Sequence, residues 1–482
     1  MKTRLPEKFS KTWPWVVISA IIYLRIPPIL GGDTGQWLEI GNQLSRGKHL
    51  YSEISELKDP AFYHLIQLFY PFLQFWTLPI LYFASWMLIG AALSINAKSK
   101  PSDAPTGMIL IVACLYSAFG TKDAIPTLIG TVVLTYSIML LERRRLSGLI
   151  LLISVPFFKI LFSIFIPIFI FRYKSNIIEA LQKNLYQTLV TLSVFFGGVY
   201  LFRQEIKLWF SILVVNVKYA QDSPSEIKNS TSHLQILFHQ LLTETFVLIS
   251  ISLYLCSIFF LVSSRNNFSK QAILTTAAVN IASMSILAVM YLWPHHTANL
   301  IFATTYNFSQ ILRRQVKSVA YFKKSDTRIL LIISMLLASL VAVNPPQLTK
   351  FSINFAYTKK DFLNIQPLPD EWTSQFSLNA KYAYLGRSEF GPFPGSFLSK
   401  STDLICKDTA VWPFLQKSAD EQFKCAKNAQ LIFISKYVFD SREFSEQLKL
   451  LFGTTDPESS ESKYVKVKDT WYDWQLYQER RN

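Results

Sequence analysis

Apolar runs, many near the length of a bilayer crossing, recur along the first 344 residues, at 12–30, 75–95, 107–121, 124–141, 148–171, 183–202, 241–262, 272–292, 297–312 and 328–344. A hydrocarbon core takes about 20 apolar residues per helix. These runs therefore read as membrane helices, the shorter ones completed by neutral flanks. The run 148–171 is unlike the others, because it carries Pro156, Lys159 and Pro167 between Arg143–Arg145 and Arg172/Lys174. With basic residues at both ends it reads as two short helices that enter and return, with Lys159 near the tip. Irregular backbone at membrane depth is tolerated only against protein or a wet cavity. The expected fold class is a polytopic α-helical membrane protein with about eleven crossings.

Composition agrees with that reading. Only 17% of residues are charged and 50% are hydrophobic, against about one quarter charged in soluble domains. A mean hydropathy of +0.25 excludes a disordered chain. The net charge of +16 has two explanations, nucleic-acid binding or positive loops on one membrane face. Its location separates them. Residues 345–482 hold 18 Lys/Arg and 17 Asp/Glu, which leaves 30 basic and 15 acidic residues for the first 344. Loops on one side (Lys2–Lys11, Lys98–Lys100, Arg143–Arg145, Arg172–Lys183, Arg265–Lys270 and Arg313–Arg328) carry 20 basic residues, and with the flanking Asp103 and Glu142 they carry 5 acidic ones. No nucleic-acid partner is implied. The positive-inside rule places the N-terminus in the cytoplasm of a plasma or inner membrane, and an odd number of crossings puts residues 345–482 outside, in the periplasm or its equivalent. Residues 12–30 read as an anchor, since no small-residue cleavage site follows.

The expected domains are a transmembrane domain, 1–344, and an external α/β domain, 345–482. Two outer loops are long. In loop 31–74, Leu38–Leu44 reads as a helix, and Ala61–Phe72 as an amphipathic helix lying on the membrane with Phe62, Leu65, Leu68, Phe69 and Phe72 on one face. In loop 203–240, Trp209, Phe210, Leu213, Val214 and Val217 suggest another interfacial helix. The tail alternates strand-like runs (Lys381–Leu385, Leu431–Ser435, Tyr464–Val467, Trp474–Tyr477) with helical ones (Thr409–Gln416, Ser441–Phe452). Cys114 and Cys256 read as span residues. Cys406 and Cys425 fall in the external tail, where a disulfide and two free thiols both remain open.

The stretch Gly31-Gly32-Asp33-Thr34-Gly35-Gln36-Trp37 follows the first apolar run directly. Beyond it come Leu38-Glu39-Ile40-Gly41, Leu44, Arg46-Gly47, Leu50-Tyr51, Lys58-Asp59-Pro60 and Tyr63. This order resembles the first external loop of membrane-embedded GT-C glycosyltransferases, the superfamily of protein O-mannosyltransferases and lipid A aminoarabinose transferases. There an Asp follows the first helix, then come a helix, a Tyr, and a Lys-x-Pro leading into a membrane-lying helix. Three shorter echoes follow. Thr121-Lys122-Asp123 opens a span, Val155-Pro156-Phe157-Phe158-Lys159 resembles a leucine-rich helix ending in an outward Lys, and Tyr291-Leu292-Trp293-Pro294-His295-His296 looks like the family's His-Tyr-x-x-Pro region, with a second His in place of the Tyr.

The resemblance implies transfer of a sugar from a lipid-linked sugar phosphate to an external glycan, lipid or protein acceptor. It implies no cofactor beyond that donor, and a divalent metal stays open. Asp33 would act as the base that takes the acceptor's proton. The leaving polyprenyl phosphate needs cations in a partly dry site. Lys159 is the first candidate, because an intramembrane Lys is costly to place; a Lys snorkelling to the outer surface is the alternative. Lys58, Lys122 and Arg203 are further candidates, each with an ordinary loop charge as its alternative. Tyr63 falls within the loop motif as a substrate-binding residue. Asp123 orients acceptor or sugar, or simply caps its helix. His295 and His296 bind phosphate or acceptor, or sit at headgroup level beside Trp293; no third metal ligand accompanies them. A transporter or flippase and a lipid-linked glycan polymerase or ligase are the competing readings. The chain has no Walker motif, GxGxxG, DxD, HExxH or GxSxG.

Overall fold

The computed structural model describes residues 33–54, 59–97, 125–183, 185–222, 245–263, 268–290, 294–315, 370–375, 380–386, 403–406, 416–454, 456–471 and 474–480. The helices in chain order are α1 Asp33–Ser45, α2 Pro60–Leu73, α3 Thr77–Ala97, α4 Ile125–Glu142, α5 Ser147–Phe158, α6 Phe165–Arg172, α7 Lys174–Lys183, α8 Leu185–Leu201 and α9 Arg203–Asp222. They continue with α10 Thr245–Ser263, α11 Lys270–Met290, α12 Leu300–Gln315, α13 Asp370–Gln375, α14 Gln416–Ala426, α15 Lys436–Asp440 and α16 Ser445–Phe452. The strands are β1 Lys381–Leu385, β2 Asp403–Leu404, β3 Leu431–Ser435, β4 Tyr464–Trp471 and β5 Trp474–Glu479. The expected spans 12–30, 107–121 and 328–344 lie outside the described residues.

The chain forms two compact units, and their boundary does not follow residue 344. One unit comprises 1–27, 80–198 and 224–356, and the other comprises 28–79, 199–223 and 357–482.

The first unit is helical. Its core joins Leu134, Ile138 and Leu141 of α4, Leu152 and Val155 of α5, Phe165 and Phe169 of α6, and Phe302 and Tyr306 of α12. Phe302 is the hub, with ring centroids 4.7 Å from Phe165, 6.0 Å from Phe162 and 6.1 Å from Phe169. The α4–α5 hairpin turns through Arg144 at φ 56 and closes tightly on Gly148, where a Cβ would lie 2.6 Å from the Leu141 nitrogen.

Helix α11 distributes its residues inside out. Leu274 and Ile281 are 70% and 67% exposed, whereas Thr276 and Ser283 are 1% and 0% exposed. Water would reverse that arrangement. Lipid permits it, because apolar tails solvate Leu and Ile while helix contacts favour small polar residues. Among the described residues, α4 and Lys270–Ala288 of α11 are each long and apolar enough to cross a membrane, and up to five crossings result if each bent helix pair is one span.

A polar network runs through this unit. Asn307 of α12 donates to the Ser257 hydroxyl of α10 at 2.9 Å and to Asn280 Oδ1 of α11 at 2.9 Å, and Asn280 donates back to Asn307 Oδ1 at 3.0 Å. Ser257 in turn donates to the Tyr254 carbonyl at 2.7 Å. Both amides, of which Asn307 is fully buried, thereby find partners that lipid tails cannot supply.

The second unit contains a five-stranded sheet of order β2-β1-β3-β5-β4, in which β2, β1 and β3 are parallel and β5 and β4 antiparallel. The four strand-like runs of the tail are strands. Every residue of β3 is buried, as expected of a strand covered on both faces. One face packs Ile432, Ile434, Phe423 and Phe452, and the other packs Tyr382, Tyr384, Phe433, Trp372 and Trp474. Cys406 and Cys425 form a disulfide that ties the residues after β2 to α14. The helical run expected at Thr409–Gln416 lies outside the described residues except for Gln416. The run at Ser441–Phe452 is split into a short 3-10 turn, Arg442–Phe444, and α16.

Helices α1 and α2 also belong to this unit. Pro60 starts α2, where its missing N–H costs nothing. Gly41 lets the two helices touch, since a Cβ there would meet Ile66 Cγ2 at 2.3 Å. The exposed face of α2 carries Leu68, Phe69 and Phe72, the last 83% exposed. Phe62 departs from the expected membrane face: it is buried, edge-on to Trp37 at 5.0 Å. Helical spacing explains this, because Phe62, Ile66 and Tyr70 line up on the side that meets α1.

Candidate functional site

Asp33 is the first residue of α1. Behind it α1 is swallowed by the fold, with residues 35–44 all buried, Glu39 and Gln43 included. Glu39 is 0% exposed. Its Oε1 accepts from the Tyr382 hydroxyl of β1 and from Gln43 Nε2 at 2.8 Å, and Gln43 Nε2 also donates to the Tyr382 oxygen at 3.2 Å. Lys48, beyond the end of α1, donates through Nζ to the Leu404 carbonyl of β2.

Helix α2 is tied to α9 in the same unit. His64 Nε2 lies 2.7 Å from Glu205 Oε1, and Nδ1 lies 2.8 Å from Gln67 Oε1. The Gln67 amide is oriented by its own Nε2, which donates to the Leu44 carbonyl at 3.0 Å. Both ring nitrogens thus face acceptors, which suits an imidazolium. Burial pulls the His64 pKa down, but the hydrogen bonds to Glu205 and Gln67 and the Glu205 charge together lift it above its ordinary value.

In the helical unit Lys159 stands where α5 has ended. Its backbone is extended (φ −158, ψ 99), its N–H donates to the Val155 carbonyl at 2.9 Å, and its carbonyl accepts from Phe162 N at 2.9 Å. Pro156 sits in the last turn of α5, and a 3-10 turn, Ile160–Ile164, follows the break. Gly130 of α4 makes room for this kink, since a Cβ there would lie 3.0 Å from Lys159 Cβ. The interruption expected within 148–171 therefore falls at Lys159, which is half-buried.

The remaining candidates divide. Tyr63 is fully buried in α2, with its ring 5.4 Å from Phe62. Arg203 begins α9, is exposed, and holds its guanidinium 4.2 Å over the Tyr200 ring. His295 and His296 lie in the 3-10 helix Pro294–Asn299 that leads into α12. Lys58, Lys122 and Asp123 lie outside the described residues. Asp33 and Arg203 belong to the unit with the sheet, and Lys159, His295 and His296 to the helical unit. Among the described residues no group of three or more His, Cys, Asp or Glu could hold a metal ion. Sequence reasoning misses Glu39 and His64 as structured groups. The only signal was Glu39 four residues before Gln43, which puts both on one helix face.

No protein-family model, curated protein or solved structure matches the chain.

Proposed function

We propose that the chain is an integral-membrane glycosyltransferase of GT-C type that moves a sugar from a polyprenyl-phosphate donor to an acceptor on the external face. In this reading the chain crosses the membrane about eleven times, with the N-terminus cytoplasmic and the sheet outside. One observation supports it most. A helix opens at Asp33 and a second opens at Pro60, in the order of the first-loop motif, and an apolar helix breaks at Lys159.

The chemistry follows from those residue types. The Asp33 carboxylate takes the acceptor's proton as its oxygen or nitrogen attacks the sugar's anomeric carbon. The bond from that carbon to the phosphate oxygen breaks, and the phosphate leaves with the electron pair. Lys159 stabilises the charge that develops on it. Arg203, Lys58 and Lys122 supply further positive charge, Asp123 orients the acceptor or sugar, and the His295/His296 pair contacts phosphate or acceptor.

The test is transfer from a synthetic polyprenyl-phosphate sugar by purified chain in lipid nanodiscs. Asp33→Asn is expected to lower the rate by about 10²-fold or more, and Lys159→Ala to weaken binding of the lipid phosphate. Near-normal transfer by the Asn variant would remove Asp33 as the base, and unchanged lipid-phosphate binding would remove Lys159.

A further inference from the structure

We propose that Glu39 is a positioning residue for Asp33, held by Tyr382 of the tail, so that the tail sets the orientation of the helix on which the base stands. The inference rests on the reading of Asp33 as base and deepens it.

A carboxyl group wholly removed from water must be hydrogen-bonded, and the two donors on Glu39 Oε1 come from different places. Gln43 is one turn along the same helix. Tyr382 lies 343 residues away on β1. The three groups close a triangle, because Gln43 Nε2 donates to both Glu39 Oε1 and the Tyr382 oxygen. Networks of this kind have one good arrangement and lose several contacts together when one member is removed.

Tyr382 is itself rigid. Its ring centroid is 5.4 Å from Tyr384 and 6.3 Å from Phe433, within the aromatic face of the sheet. The bond from Lys48 to the Leu404 carbonyl grips the chain a second time, just beyond α1. Helix α1 is therefore pinned to the sheet at its middle and past its end, with Gly41 wedged on Ile66 from α2. Asp33 stands six residues before Glu39, about 9 Å along a helix axis. What fixes Glu39 fixes the helix backbone that begins at Asp33.

The experiment uses full-length chain in nanodiscs and has two readouts. Hydrogen exchange is followed for peptides covering 33–45, with peptides covering 431–435 reporting on the sheet. Tyr382→Phe is expected to speed exchange of α1 about tenfold, as loss of one buried hydrogen bond would, with β3 unchanged. Glu39→Gln keeps an amide oxygen for Tyr382 and is expected to restore most of the protection that Glu39→Leu loses. In the sugar-transfer assay, Tyr382→Phe should lower kcat about tenfold at constant KM for the lipid donor, and Glu39→Leu with Tyr382→Phe should cost little more than either alone. Unaltered α1 exchange in Tyr382→Phe would overturn the proposal, as would unaltered kcat alongside faster exchange. Absence of transfer by the wild-type chain would overturn Asp33 as a base, while the exchange arm would still report on the bond to Tyr382.

Discussion

His64 sits between two oxygens, those of Glu205 and Gln67, and that arrangement has a pH signature. Its folded-state pKa lies above the ordinary value of about 6.5, with burial opposing and Glu205 and Gln67 raising it. A raised pKa means that the folded state binds the proton more tightly than the unfolded state does. The stabilisation is therefore complete below about pH 6.5 and is lost as pH rises through the folded-state pKa. Thermal unfolding of wild type and His64→Gln at several pH values should show a gap on the order of 1 kcal/mol in acid that shrinks toward alkaline pH. A gap that stays constant with pH would mean the imidazolium is not the stabilising form. Neither His64 nor Glu39 was legible as a partnered group. Their partners, Glu205 and Tyr382, are 141 and 343 residues away, and a polar residue in an amphipathic window reads as solvated until its partner is found.

Elements were more legible, because periodicity is local. The four strand runs in the tail and the helical runs Leu38–Leu44 and Ala61–Phe72 follow from alternation, periodicity and turn residues, although the first helix begins earlier, at Asp33. The disulfide did not follow, since spacing says nothing of Cα separation, here 5.6 Å. Helix α12 shows another limit. Its Thr304, Thr305, Asn307, Ser309 and Gln310 are buried, and the apolar run 297–312 says nothing of which distant residues partner them. Helices α10 and α11 supply the partners that make its burial tolerable. Asn307→Ala, which removes the bonds to Ser257 and Asn280, is expected to destabilise the helical unit by about 1–3 kcal/mol, with each hydrogen bond worth about 1 kcal/mol and the cavity adding more. Unfolding in bicelles measures this, and a change under a few tenths of a kcal/mol would mean the network holds nothing together.

At the scale of the whole molecule, the unit with the sheet is assembled from 28–79, 199–223 and 357–482. A fragment limited to 357–482 lacks Glu39, Gln43 and Lys48, and so leaves the Tyr382 hydroxyl and the Leu404 carbonyl without those contacts. Such a fragment is expected to melt several degrees lower than the same strands in the full chain, because the hydrogen bonds to Glu39, Gln43 and Lys48 and the burial that α1 provides are lost. Equal melting, followed by tryptophan fluorescence, would show that the loop helices add nothing to the sheet.

The amino-acid sequence alone determined the apolar helices and the strands of the tail, because each depends on neighbours within a few residues. Only the tertiary structure decided that the first loop and the tail share one compact unit, that α11 turns its polar residues inward, and that a buried carboxyl group on α1 meets a tyrosine on β1. These are contacts between segments far apart in the chain, where the energy lies in satisfying a buried polar group and no local pattern records which distant residue will do it.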